Sequence, residues 1–117
     1  MTLDDETMEK IARVVHEANR AWCRAHGDES QPAYDEAEPW MCDATAEGIK
    51  FRLEHPDAPA SAQHDQWMAE KINAGWTWGP EKNAEAKTHP MLIPYDELPA
   101  FEKKKDALFS AIVTALT

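Results

Sequence analysis

Basic residues are scarce in this chain: 12 Lys and Arg stand against 22 Asp and Glu, a formal charge of −10 over 117 residues. An excess of that sign leaves no broad cationic footprint, which excludes a general binder of nucleic-acid polymer or of an anionic membrane surface. A local basic pocket for one small anion is still compatible with it. Cysteine is nearly absent: Cys23 and Cys42 allow a single bridge at most. Two thiols in an acidic chain of this kind read as packing residues rather than a disulfide, and no Cys/His spacing of zinc type appears. No apolar run has membrane-spanning length, and the first residues form neither a basic n-region nor an apolar h-region. A cytoplasmic protein is the expectation.

Enzyme signatures are missing too. Ser30, Ser61 and Ser110 are the only serines, and none sits in a nucleophile elbow. The segment GWTWGP lacks the lysine and spacing of a phosphate-binding loop. HDQWM lacks the second histidine of a metalloprotease helix, and Asp65 and Glu70, five residues apart, do not share a helix face. No catalytic residue, metal or cofactor is implied.

What is present is a folding composition. Hydrophobic residues make up 43% and there are five tryptophans, which argues for one packed domain over residues 1–117. Apolar periodicity predicts a mainly α fold, about four helices with a small two-stranded β-ribbon. The first helix is expected from Thr2 to Gly27, opened by a Thr2/Asp5 capping box. Its stripe is Met8, Ile11, Ala12, Val15, Ala18, Asn19 and Trp22, with His16, Glu17, Arg20 and Arg24 beside or away from it. Asn19 stands out, because an amide on an apolar stripe must find a partner or a ligand. The segment from Asp28 to Glu47 carries acidic residues and no basic one, as a solvated face does.

Pro39 opens a second helix, on which Trp40, Ala44, Gly48 and Phe51 share a side. Gly48 implies close packing on the first helix. His55-Pro56 closes it, and residues 57–63 read as a linker. The last helix follows Pro99, with a stripe of Phe101, Leu108, Ala111, Ile112, Ala115 and Leu116. Lys103, Lys104 and Lys105 on its first turns are expected to be solvated or to face a neighbour's acidic run.

Residues 64–94, HDQWMAEKINAGWTWGPEKNAEAKTHPMLIP, are the densest in signal. Trp67, Met68, Lys71 and Ile72 recur at helical spacing, and Gly75 ends that helix. If extended, Trp76-Thr77-Trp78 puts both indoles on one face. Gly79-Pro80 breaks it, and a charged loop leads to a second apolar run, Met91-Leu92-Ile93, as the other strand.

His64, Trp67, Lys71-Ile72, Gly75-Trp76-Thr77-Trp78-Gly79, Lys87, His89-Pro90, Leu92, Pro94-Tyr95 and Leu98-Pro99 together resemble the RyR domain, the repeat named after the ryanodine receptor calcium channels. The likeness to the receptor repeats covers about residues 61–110, and the first half resembles single-copy members of bacteria and bacteriophages. Trp78 departs from the tyrosine usual in the receptors. The resemblance implies helices packed with a small β-ribbon, pairing about a twofold axis as a homodimer, and no channel. It also implies ligands of adenine-nucleotide or drug-like type near Trp67, and a nucleotide-signal role in defence systems.

A flat ring carrying phosphates needs stacking plates and cations. Trp67, Trp76 and Trp78 are the candidate plates. Lys71, Lys87, His89, Asn19 and Arg20 are the candidate polar partners, with Lys82 on the loop joining the two strands and Arg24 on the first helix as further cations of the same pocket. The same tryptophans read equally as core, Lys71 as a snorkelling residue and His89 as a turn residue. Two functions remain open: a non-enzymatic module binding a nucleotide-type small molecule, or a structural protein-interaction and dimerisation domain.

Overall fold

The computed structural model describes residues 3–117. Helix α1 spans Asp5–Ala25. Asp4 sets its start by accepting the Thr7 N–H at 2.7 Å, with Asp5 and Glu6 at the positive end of the helix dipole. The expected Thr2/Asp5 box is therefore not the described cap, and Thr2 lies outside the described residues. Gly27, at φ 91°, closes the helix by a Schellman arrangement: Asp28 N–H to Cys23 O, 2.9 Å, and Gly27 N–H to Arg24 O, 3.1 Å.

Helix α2, Pro39–Glu54, begins at its proline and is capped at His55, as the sequence predicts. Helix α3, Ala60–Asn73, starts at Pro59, four residues before the expected point, so the linker shortens to residues 56–59. Helix α4, Ala100–Leu116, follows Pro99. The helices pack in a ring, α1 on α2, α2 on α3, α3 on α4 and α4 on α1.

Strand β1, Thr77–Trp78, pairs in parallel with β2, Thr88–His89, in the register Thr77↔Thr88 and Trp78↔His89. The expected second strand at 91–93 is not formed. Prolines fence that run, and the Met91 N–H is spent on His89 Nδ1 at 3.0 Å. The intervening loop folds back through an antiparallel bridge of Asn83 to Thr88. Gly79 is needed where the strands meet, because a Cβ there would stand 2.7 Å from Thr88 Cβ.

The dry core occupies one end of the ring. Ile11, Ala12 and Val15 of α1, Ile49 of α2 and Val113 of α4 are buried together, with Leu53, Phe109 and Ile112 packed against them. The stripe on α4 therefore differs from the sequence expectation: Ala111, Ala115 and Leu116 are exposed, and Asp106, Phe109, Ser110 and Val113 turn inward. Polar residues at inward positions mask the apolar period. His16, read as lying off the α1 stripe, is buried and bonds the Pro32 carbonyl at 2.7 Å. Gly48 faces α4 rather than α1, since a Cβ there would meet Phe109 Cζ at 2.9 Å. Cys23 and Cys42 are free thiols. Among the described residues no helix is long and apolar enough to cross a membrane.

Candidate functional site

At the other end of the ring the helices do not close on one another. They enclose a cavity of about 210 Å³ bordered by all four helices and the ribbon. α1 contributes Asn19, α2 contributes Trp40 and Thr45, and α3 contributes His64, Trp67 and Lys71. The ribbon region supplies Trp76, Lys82 and His89, and α4 supplies Lys105, Asp106 and Phe109. A second cavity of about 360 Å³ shares Trp40, Trp67, Lys71 and Trp76 with the first and continues to Glu70 and Lys87. The inner cavity alone is smaller than a usual small-molecule pocket, about 300–1,000 Å³. With the outer one it reaches that range.

Lys71 stands at the shared wall. It is only 9% exposed. Its ammonium lies 4.5 Å from the Trp40 ring centroid and 4.6 Å from that of Trp76. It has no ion pair and no hydrogen bond among the described residues. Burial pulls its pKa below the ordinary lysine value, and Lys82 adds to this. The helical pattern read Lys71 and Ile72 as one face. In the fold Lys71 points in and Ile72 is 57% exposed, so here a cation takes a position that an apolar residue usually fills.

The local chain builds this contact. α3 ends at Asn73, and Gly75 at φ 93° lets the backbone reverse. Trp76 N–H then bonds Lys71 O at 2.9 Å and Gly75 N–H bonds Ile72 O at 3.0 Å, a second Schellman closure. In that motif the residue after the glycine folds back over the last helical turn, which here lays the Trp76 indole on the Lys71 side chain.

Trp67 is half-buried, stacked on His64 with centroids 5.5 Å apart and edge-on to His89 at 4.9 Å. His89 accepts the Met91 N–H through Nδ1, so its Nε2 carries the proton. Burial, then the surrounding lysines, depresses its pKa to about 3, and the imidazole is a neutral donor at physiological pH. Lys82 is exposed as a residue yet borders the cavity, and desolvation lowers its pKa, with Lys105 contributing. Lys105 pairs with Glu102 at 2.9 Å. It is therefore neither solvated nor turned to a neighbour, as the sequence led us to expect. Asp106 is held up to about 6 by burial, against the opposing pull of His64 and Lys105.

Of the residues singled out from sequence, the fold brings Trp67, Lys71, Trp76, His89 and Asn19 to the inner cavity. Trp78 is not among them. It is 57% exposed and its indole N–H donates to Pro90 O at 3.2 Å, so the two indoles of the Trp-Thr-Trp segment do not act on one face. The peptide after Trp76 belongs to the helix closure, and the strand begins only at Thr77. Lys87 borders the outer cavity only, and its ammonium donates to Ala74 O at the end of α3 at 2.9 Å. Arg20 pairs with Glu17 at 3.2 Å and does not border the cavity. Lys82, expected on the loop that could fold over this face, does border the cavity, whereas Trp40, His64, Lys105 and Asp106 carried no expectation as site residues. A signal existed for Trp40, because the predicted face of Trp40, Ala44 and Gly48 is the cavity face. Among the described residues, no group of three or more His, Cys, Asp or Glu is arranged to hold a metal.

The sequence model of the RyR domain matches residues 52–114. That span runs from the end of α2 through α3 and the ribbon into α4, and so holds most of the cavity's polar wall.

Proposed function

The chain belongs to the RyR domain family, and on that premise we propose that it is a small binding module for a nucleotide or nucleotide-derived signal. It takes the ligand at the Trp67/Lys71 cavity without turnover and acts as a cytoplasmic sensor or sequestering protein. One observation carries this reading: the buried Lys71 ammonium borders both cavities and makes no ion pair or hydrogen bond among the described residues, Glu70 at the second cavity acting on it only at longer range. Burying an unpaired cation costs free energy, and two indole faces return only part of it, on the order of 0.5–2 kcal/mol. An anionic ligand would supply the missing partner. Trp67 beside it offers a ring-sized surface, and base–aromatic stacking contributes about 1–3 kcal/mol.

The alternative is a docking or dimerisation domain. It has its own observation, the 57% exposure of both Ile72 and Trp78.

A thermal-shift screen separates the two. Mono-, di- and cyclic nucleotides and ADP-ribose derivatives are compared with buffer. A ligand at 100 times its Kd stabilises the native state by about 2.7 kcal/mol. A raised melting point that Trp67→Ala or Lys71→Met abolishes supports the binding module. No shift with any nucleotide, together with a changed oligomeric state in Trp67→Ala, overturns it in favour of the docking domain. Conversion of a nucleotide, followed by chromatography, would overturn the absence of turnover.

A further inference from the structure

Lys71 has the setting of a reactive amine. A buried lysine that only holds structure is tied to a carboxylate or a carbonyl. Lys71 is 9% exposed, yet its Nζ makes no ion pair and no hydrogen bond among the described residues. The amine is not sealed off either. The fully enclosed unpartnered side-chain atoms among the described residues are Arg20 Nε and Trp22 Nε1, whereas Lys71 borders both the inner and the outer cavity. The Trp40 and Trp76 rings stand 4.5 and 4.6 Å from its Nζ and screen it from bulk water. Burial disfavours its charge, Lys82 of the loop adds repulsion, and Glu70 of α3 opposes both. Asp43 of α2, His89 of β2 and Lys105 and Asp106 of α4 face the same cavities. Desolvation and a neighbouring cation are the two devices that make a lysine nucleophilic.

We propose that Lys71 is a covalent capture site: its ε-amine, unpaired between two indoles at the meeting of two cavities, condenses with the carbonyl of an aldehyde or ketone and holds it as an imine. This does not rest on the nucleotide reading above, which asks only for the charge of the same side chain.

The step balances without an oxidant or reductant. The ammonium first gives its proton to water. The Nζ lone pair then forms a bond to the carbonyl carbon, and the carbonyl oxygen takes up a proton as its π pair moves onto it. That oxygen leaves as water when the nitrogen loses its second hydrogen and the C=N bond forms, and water reverses the sequence. The surroundings suit each part. His89 borders the inner cavity and lies within range of the Lys71 charge, and its neutral ring offers the Nε2–H as a donor to a carbonyl or hydroxyl oxygen. The indole walls limit the water that would hydrolyse the imine. The outer cavity, about 360 Å³, admits a molecule of single-ring size.

Benzaldehyde with sodium cyanoborohydride, which reduces an imine to a stable secondary amine, tests this on the wild-type protein. Peptide mass spectrometry then reads the benzyl label on each lysine across pH 6–9. Lys71 is expected to carry about ten times the label of the exposed Lys50 at pH 7, the excess that a neutral-amine fraction larger by that factor gives. Unfolding in urea should erase the difference. Two variants move the pH profile in opposite directions. Lys82→Met removes a repelling cation, so half-maximal labelling of Lys71 should shift to higher pH. Glu70→Gln removes a supporting anion and should shift it to lower pH. A lysine that reacted merely because it was accessible would show neither shift. Label spread evenly over the lysines, an excess at Lys71 that persists in urea, or a profile unmoved in both variants overturns the proposal. Nucleotide binding is read by thermal shift and not by label, so the failure of either reading is seen apart from the other.

Discussion

Lys71 and Trp76 are joined twice. The Trp76 N–H bonds the Lys71 carbonyl at 2.9 Å, and the Trp76 ring stands 4.6 Å from the Lys71 ammonium. The first contact is the closing bond of α3, and it makes the second. A helix end and a cation site are here one piece of backbone geometry, hinged on the positive φ of Gly75.

Gly75→Ala should therefore act on both. A side chain in the left-handed region costs about 1–2 kcal/mol, and the urea midpoint should fall accordingly. Nothing beyond the Lys87 side chain, 3.8 Å away, crowds the added methyl, so the loss is conformational. The buried Trp76 fluorescence should shift to the red as its indole loosens from Lys71.

The two lysines flanking the end of α3 should behave in opposite ways. Lys71→Met removes a buried, unpaired cation. It should leave stability unchanged or raised, since replacing buried charge by an apolar side chain is often neutral or favourable. It should lower affinity for an anionic ligand about tenfold or more. Lys87→Ala removes the ammonium that bonds Ala74 O at the helix C-terminus. It should cost about 0.5–1 kcal/mol of stability and leave ligand affinity nearly unchanged. Denaturation and titration on the same two variants check both.

Arg52 should be the polar residue least tolerant of change. It is buried, and its guanidinium donates to Gln63 Oε1 at 3.2 Å, to the Ala58 carbonyl and to Ser110 Oγ at 3.1 Å. It thereby ties α2 to the linker, to α3 and to α4. Lysine has no planar fork to reach three partners. Arg52→Lys should cost about 3 kcal/mol, because buried acceptors are left unpaired, with urea denaturation as the measurement.

Two cavity groups should shape stability against pH with opposite signs. Asp106 titrates at about 6 in the fold against an ordinary 3.8. Its contribution is full below 3.8 and is lost as pH rises through about 6. His89 titrates at about 3 against an ordinary 6.5. Its contribution is present above 6.5 and is lost as pH falls toward 3. Between about pH 4 and 6 the two oppose each other. Asp106→Asn removes the first, so that variant's stability should climb with pH more steeply than the wild type's over this window. Urea midpoints at pH steps across it decide the matter, and parallel curves would contradict the assignment.

Helix boundaries were legible where single residues dictate backbone geometry. Pro39, the His55-Pro56 step, Gly27 and Gly75 each stop or start a helix at the expected place. The faces were harder to read. On α4 the inward positions include Asp106 and Ser110, and on α3 Lys71 points in while Ile72 points out. An interior that holds a polar cavity inverts the apolar pattern on which periodicity depends. Trp78 misled for a different reason: its neighbour Trp76 belongs to the closure of a helix and not to the strand.

By itself the sequence determined the helical character, the four-helix count, the absence of enzyme motifs and the family to which residues 52–114 belong. It also singled out Trp67, Lys71 and Trp76, because aromatics and lysines interleave there in an otherwise acidic chain. Only the tertiary structure decided which cations share a cavity. Trp40, His64, Trp67, Lys71, Lys82, His89 and Asp106 lie on four separate segments that converge around one space. No local pattern records that convergence, because it follows from how the helices pack and not from what each prefers alone.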